Sequence, residues 1–215
     1  MKNYYTKGAE WRRWDLHIHT KDTFKNDQFI SSDFNSFCDC LFEKALAKNV
    51  AAIGITDYFN IANYMKVLNY LSIIDTNSKF NETQKEKIKD ILVLPNIELR
   101  VLPVTDNGRL VNFHCVFNPD YIASLEDDFF NSIHMSIGNE EYNMNEAGLK
   151  KLGLSKGATN ETALQKGIES FVVSPSDLIN LFKKKPNLRK NTLTIVSNSN
   201  KDGNSAYQKH YDFFE

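Results

Sequence analysis

Trp14-Asp15-Leu16-His17-Ile18-His19-Thr20 is the stretch on which the reading of the whole chain turns. In an extended strand, alternation sends Asp15, His17 and His19 to one face and Trp14, Leu16 and Ile18 to the other. Two imidazoles and a carboxylate on one rigid face suit a metal ion. Neutral imidazole is the commonest protein ligand for zinc, iron or manganese, and two from one strand reach a common ion without ordering a loop. The competing reading is a half-buried strand with surface histidines; Asp15 and Thr20 at its flanks favour metal.

Outward from this segment, apolar strand-like runs alternate with helical patterns. Strands are predicted over residues 13–19, 50–56, 91–99, 111–117 and 193–197. Their alternation with helices argues for an α/β fold of parallel β/α construction. Ser32-Asp33 offers an N-cap for a helix carrying Phe34, Phe37, Leu41, Ala45 and Leu46 at three- to four-residue spacing. Asn60 is placed to cap a second helix through Tyr64, Val67, Leu68 and Leu71, and Ser174-Pro175-Ser176-Asp177 reads as the start of a third. Residues 77–90 are polar and charged and read as a solvated helix or loop. Residues 138 to about 170 are rich in Asn, Gly, Lys and Glu, and read as an insertion or lid within a single domain spanning 1–215.

Composition narrows the function classes. The chain has 215 residues, with 26 Lys and Arg against 27 Asp and Glu, so a formal charge of -1 gives no global field toward nucleic acid or membrane. Any polyanion must therefore be held locally. The run Lys183-Lys184-Lys185-Pro186-Asn187-Leu188-Arg189-Lys190 sits where a helix should end, and cations there complement the helix dipole. No apolar run reaches the roughly 18 residues of a membrane span, and Met1-Lys2-Asn3-Tyr4-Tyr5 lacks the apolar core of a secretion signal. A cytoplasmic protein with no membrane partner is expected. Cys38, Cys40 and Cys115 are odd in number and lack zinc-knuckle spacing, so free thiols are expected.

Each later strand also ends in a group able to meet metal or phosphate. Ala51-Ala52-Ile53-Gly54-Ile55-Thr56 stops at Asp57, Ile91 to Ile97 stops at Glu98, and Val111-Asn112-Phe113 brings in His114. Enzymes built on parallel barrels place their chemistry at these strand ends. Taken singly, Asp57 reads better as a helix cap, Glu98 as a surface charge and His114 as a core histidine; the ordered set points to a site.

Asp-Leu-His-Ile-His-Thr at 15–20, Ile-Thr-Asp at 55–57, Asn-Ile-Glu at 96–98 and Phe-His-Cys at 113–115 resemble, in order and spacing, the motifs of the PHP domain, the polymerase and histidinol phosphatase family of metal-dependent phosphoesterases. The lead Gly8-Ala9-Glu10-Trp11-Arg12-Arg13-Trp14 and the late Ser197-Asn198-Ser199-Asn200-Lys201-Asp202-Gly203 look more narrowly like PHP modules joined to SMC-like or AAA-like ATPases, some of them associated with antiphage defence. The resemblance implies a distorted (β/α)7 barrel with two or three divalent ions (manganese, zinc, iron or magnesium) at the strand ends. His17 and His19 would hold one ion, Glu98 would bridge two, His114 would complete the second, and Asp57 would act as ligand or orienting base, with Asp15 alongside. A bridging carboxylate lets two cations sit about 3.5–4 Å apart despite their repulsion.

The chain also departs from the family. Tyr58 stands where the family has His, and residues 198–202 replace a late Asp-x-His pair, which leaves the third ion open, with Asn198 and Asp202 as oxygen donors. His134 is a candidate for a downstream histidine ligand, although its neighbours also fit a helix, and His210 reads as a surface residue. Arg100 shares the Glu98 face two residues on and is a candidate to grip phosphate, as is Arg109.

The activity this implies is hydrolysis of phosphodiester bonds in nucleic acid or nucleotides. A degenerate, non-catalytic barrel serving a larger ATPase and a small-molecule phosphomonoesterase stay open beside it. The chain ends at Tyr211-Asp212-Phe213-Phe214-Glu215, where a barrel of this family needs another strand and helix. Either the sequence is a piece of a longer chain, or the barrel is incomplete and is open or closed by a partner or a second copy.

Overall fold

The computed structural model describes residues 11–24, 27, 29–102 and 110–196, and the chain divides into two compact units. The first comprises residues up to 57 and 61–95, and the second residues 58–60 and 96 onward. Both are built from strands and helices, as the α/β reading requires.

In the first unit, β1 (Arg13–His19) pairs in parallel with β2 (Val50–Tyr58). The connection between them is helix α1 (Phe34–Ala47), started by the Asp33 carboxylate, which accepts from the Ser36 N–H at 2.8 Å. The helix buries Phe37 and Ala45 of the predicted stripe together with Cys38 and Phe42, whereas Phe34, Leu41 and Leu46 are only half-buried: the buried face is rotated from the one the spacing predicts. Helix α2 (Ala62–Ser72) follows, and the Tyr70 ring stacks on Phe42 at 5.7 Å. The polar stretch at 77–90 is a helix, α3 (Glu82–Lys89), closed by a reciprocal Asn81–Gln84 capping box. Ile88 and the stem of Lys85 are its buried residues, and that single turn of apolar contact explains why its sequence reads as almost wholly solvated.

One expectation for this unit is corrected. Asn60 does not cap α2: its amide donates to the Tyr58 carbonyl at 2.9 Å, and the Asp57 side chain meets the helix start instead. Strand β1 is largely open to solvent, with Trp14 57% exposed.

The second unit departs from parallel construction. Strand β3 (Leu92–Val101) runs antiparallel to β4 (Val111–Phe117), and β4 runs antiparallel to β7 (Thr192–Val196). The nine residues 102–110 leave no room for a crossover helix, which needs a dozen or more, so the chain has to turn back. Between β4 and β7 lie α4 (Leu125–Asp128), a hairpin of β5 (His134–Ile137) and β6 (Glu140–Asn143), then α5 (Glu146–Ser155), α6 (Ala163–Ser170), α7 (Pro175–Lys184) and α8 (Pro186–Lys190).

The segment poor in large apolar residues is therefore ordered, and glycine is the reason. A Cβ on Gly153 would lie 1.8 Å from the Ala163 carbonyl oxygen, and one on Gly167 1.9 Å from that of Leu149. Helices α5 and α6 pack backbone to backbone, so large side chains are not needed to fill the seam. At α7 the basic run ends the helix as expected, with Lys183 and Lys184 in its last turn and Lys185 paired to Asp128 at 2.8 Å. Among the described residues, no helix is long and apolar enough to cross a membrane, and the three cysteines are free thiols, Cys38 and Cys115 buried and Cys40 exposed.

Candidate metal centre

In the first unit, a glycine lets the two histidines of β1 converge. Asp15 pairs with Ile53 and Ile18 with Ile55, so three steps along β1 oppose two along β2: a bulge at Leu16-His17. It fits because Gly54 has no side chain, since a Cβ there would lie 2.2 Å from the Leu16 carbonyl oxygen. On the bulged strand the Nε2 atoms of His17 and His19 are 3.1 Å apart and the rings meet edge to face, with centroids 4.9 Å apart. Metal–imidazole bonds of about 2.0–2.1 Å put two neighbouring ligands about 2.8–3.0 Å apart on an octahedral ion and about 3.3–3.4 Å apart on a tetrahedral one. The pair therefore fits a shared ion without rearrangement. Thr20 and Thr23, just beyond, bury hydroxyl oxygens that have no hydrogen-bond partner among the described residues.

Asp57, at the end of β2, is buried, and both its oxygens are engaged: one accepts the Asn63 N–H at 2.9 Å, the other the Asn63 side-chain amide at 2.8 Å. Burial raises its pKa above the ordinary carboxylate value, against the lowering effect of those bonds. In these contacts Asp57 ties β2 to the first turn of α2. Asp15 sits on β1 as the pattern predicts and is exposed.

In the second unit, the antiparallel register assembles a polar ladder. Glu98 pairs directly with His114, and Arg100 with Asn112. Directly opposed residues share a face, and so do residues two apart, which gathers Asn96, Glu98 and Arg100 of β3 with Asn112 and His114 of β4. All but Arg100 are buried, at 9% exposure or less. The Asn96 amide oxygen lies 3.2 Å from His114 Nδ1, fixing that ring, and Arg100 donates through Nη1 to the Asn112 oxygen. The Arg100 guanidinium also lies 3.5 Å from the Glu98 carboxylate and 5.8 Å from the centre of the Tyr58 ring. Burial, with the Glu98 charge nearby, pushes the Tyr58 phenol up to about 12, so it is a protonated hydroxyl at neutral pH.

Of the remaining expected site residues, His134 lies in the β5–β6 hairpin, with Nδ1 2.8 Å from the Asn143 amide oxygen. It is a strand residue, not a helical one. Asp202, Asn198, His210 and Arg109 lie outside the described residues. Sequence reasoning missed Asn96, Asn112, Asn63 and Gly54. Two signals were available: a glycine in the middle of a wholly apolar strand, and asparagines spaced by two from Glu98 and His114 within buried runs.

No protein-family model matches the chain, and no curated protein matches it. Among solved structures, the chain is similar to a protein from Bifidobacterium adolescentis that carries the provisional name metal-dependent phosphoesterase, with a TM-score of 0.40 and 12% identity over 93% of this chain and 73% of that one. At that distance the likeness carries no argument about the site, whose reading rests on its own geometry.

Proposed function

We propose that the chain is a metal-dependent phosphoester hydrolase acting on phosphodiester bonds of nucleic acid or nucleotides, built on a distorted β/α barrel of the PHP kind. One observation carries the reading: the His17 and His19 Nε2 atoms are held 3.1 Å apart by a bulge that Gly54 permits. Within the second unit, Glu98 and His114, the latter with its ring fixed by Asn96, are the further proposed metal donors. Divalent ions bound there would supply an activated water and counter-charge for the phosphate oxygens. The protein's own part is orientation. Asn96 sets which His114 nitrogen is presented, and the bulge sets the angle between the two β1 imidazoles.

The test pairs metal content with turnover. Wild-type protein loaded with manganese should bind at least one ion per chain and hydrolyse bis(p-nitrophenyl) phosphate. His17→Ala and Glu98→Gln should fold, lose metal and fall to the uncatalysed rate. Retained turnover in both variants would sink the proposal.

The contacts of Asp57 favour one second reading, a scaffold in a larger ATPase assembly: a carboxylate whose oxygens both serve Asn63 is committed to structure. Wild-type protein that binds less than one ion per chain, after growth with manganese, iron and zinc supplied, would select it.

A further inference from the structure

Arg100 has no ligand role in the proposed metal site, yet residues of the second unit hold both its backbone and its guanidinium. Its backbone carbonyl accepts the Val173 N–H at 2.8 Å, anchoring the end of β3. Its guanidinium donates to Asn112, leans over the face of Tyr58 and lies 3.5 Å from Glu98, too far for a strong hydrogen bond. The side chain nevertheless keeps 24% of its surface exposed, whereas Glu98 keeps 1%. A guanidinium offers five N–H donors in a rigid fork matched to two oxygens of a phosphate, and holding that fork in advance removes much of the entropy cost of using it.

Tyr58 is held just as firmly. The next residue, Phe59, has φ +57, a left-handed conformation that is unfavourable for a non-glycine residue and persists only where surroundings enforce it. Here the enforcement is visible. Phe59 is buried edge-on against Phe171 at 5.4 Å, and the Asn60 amide closes back onto the Tyr58 carbonyl at 2.9 Å. The strained turn delivers a flat aromatic surface under a cation, which the ring's negative face attracts.

We propose that Arg100, clamped between Tyr58 and Asn112, is the phosphate-binding group of this unit, taking two non-bridging oxygens of a phosphoester through its exposed edge, and that Tyr58 is a positioning residue that sets the strength of this grip. The inference rests on the phosphoesterase reading for its substrate, but it is tested without turnover. Inorganic phosphate is titrated into the full chain in the presence of chelator, and then with manganese.

Arg100→Gln should weaken phosphate binding about tenfold, as expected for loss of a bidentate charged contact. Arg100→Lys, which keeps the charge without the fork, should weaken it by a smaller factor. Tyr58→Phe keeps the ring under the guanidinium and loses only the hydroxyl's hydrogen bond to Arg100, so it should weaken binding less than Tyr58→Leu, which should lose several-fold. If hydrolysis is observed, the same variants should raise KM more than they lower kcat, which a merely structural role for Tyr58 would not do.

Equal phosphate affinity in wild type and Arg100→Gln overturns the proposal, as does Tyr58→Phe weakening binding as much as Tyr58→Leu, or a wild type that binds no phosphate in either condition. Should Arg100→Gln fail to fold, Arg100→Lys and Tyr58→Leu decide the matter. The two readings fail separately. Wild-type protein that binds phosphate through Arg100 and hydrolyses nothing sinks the hydrolase reading alone, and turnover with an unchanged KM in Arg100→Gln sinks this one alone.

Discussion

The first and second units both bring polar side chains together on β-strands, and they do it by different devices. In the parallel pair β1–β2 the two imidazoles come from one strand, and their convergence needs an irregularity, the bulge opposite Gly54. In the antiparallel ladder β3–β4 the register alone sets Glu98 opposite His114 and Arg100 opposite Asn112. The first arrangement hangs on one missing Cβ. The second is spread over several residues that hold one another.

The sharpest way to break that contrast is Gly54→Ala. The added Cβ would sit 2.2 Å from the Leu16 carbonyl oxygen, a backbone atom that cannot rotate away. Overpacking of this kind costs about 1–3 kcal/mol even where neighbours can shift, and here relief requires removing the bulge. The expected outcome is a markedly lower melting temperature together with loss of metal. A variant that melts like wild type and still binds the ion would show that the bulge does not set the His17–His19 distance.

A smaller effect is expected at Asp57, and it separates ligand from cap. Removing a side chain that caps a helix costs about 1–2 kcal/mol. Asp57→Ala should lose that much in a denaturant titration. Asp57→Asn retains one acceptor for the Asn63 N–H and should lose less, with the amount of bound metal unchanged in both. Metal loss in Asp57→Asn at undiminished stability would make Asp57 a ligand.

How far the sequence could be read follows the same division. In the first unit, β1 and the Asp33 cap of α1 are found at the expected residues, because periodicity and capping are local properties, while the buried face of α1 shares only Phe37 and Ala45 with the predicted stripe, because the neighbouring elements choose which side is covered. The second unit's strands were also located, but their direction was not, since alternating apolar patterns look alike in parallel and antiparallel ladders. The nine-residue connection at 102–110 carried that information. The β5–β6 hairpin and the α5–α6 pair were not legible. Glycine-mediated backbone contact leaves no hydrophobic stripe to detect, and residues such as Gly153 and Gly167 look like loop. At the candidate centre, His17, His19, Glu98 and His114 announced themselves by type and spacing. The residues that aim them, Gly54, Asn96 and Asn112, act through contacts that exist only once the strands are paired.

The smallest expected effect contrasts Asp57 with Asp128 of the second unit. Asp128 is 31% exposed, bonds to Lys185 at 2.8 Å and accepts from the Tyr121 hydroxyl. The Lys185 contact first, and the Tyr121 hydrogen bond after it, hold its carboxyl below the ordinary value, where burial holds that of Asp57 above. A carboxylate with a depressed folded-state pKa binds fewer protons folded than unfolded. Its contribution is therefore complete above the unfolded value of about 4 and is lost as pH falls through the lower folded value. Solvent screening of a pair this exposed limits the effect to less than about 1 kcal/mol. Asp128→Asn should be slightly less stable than wild type at pH 7, and the two denaturation midpoints should converge as pH falls below the ordinary carboxylate value. A gap that stays constant across that range would mean that Asp128 contributes through its packing and its hydrogen bond to Tyr121, and not through its charge.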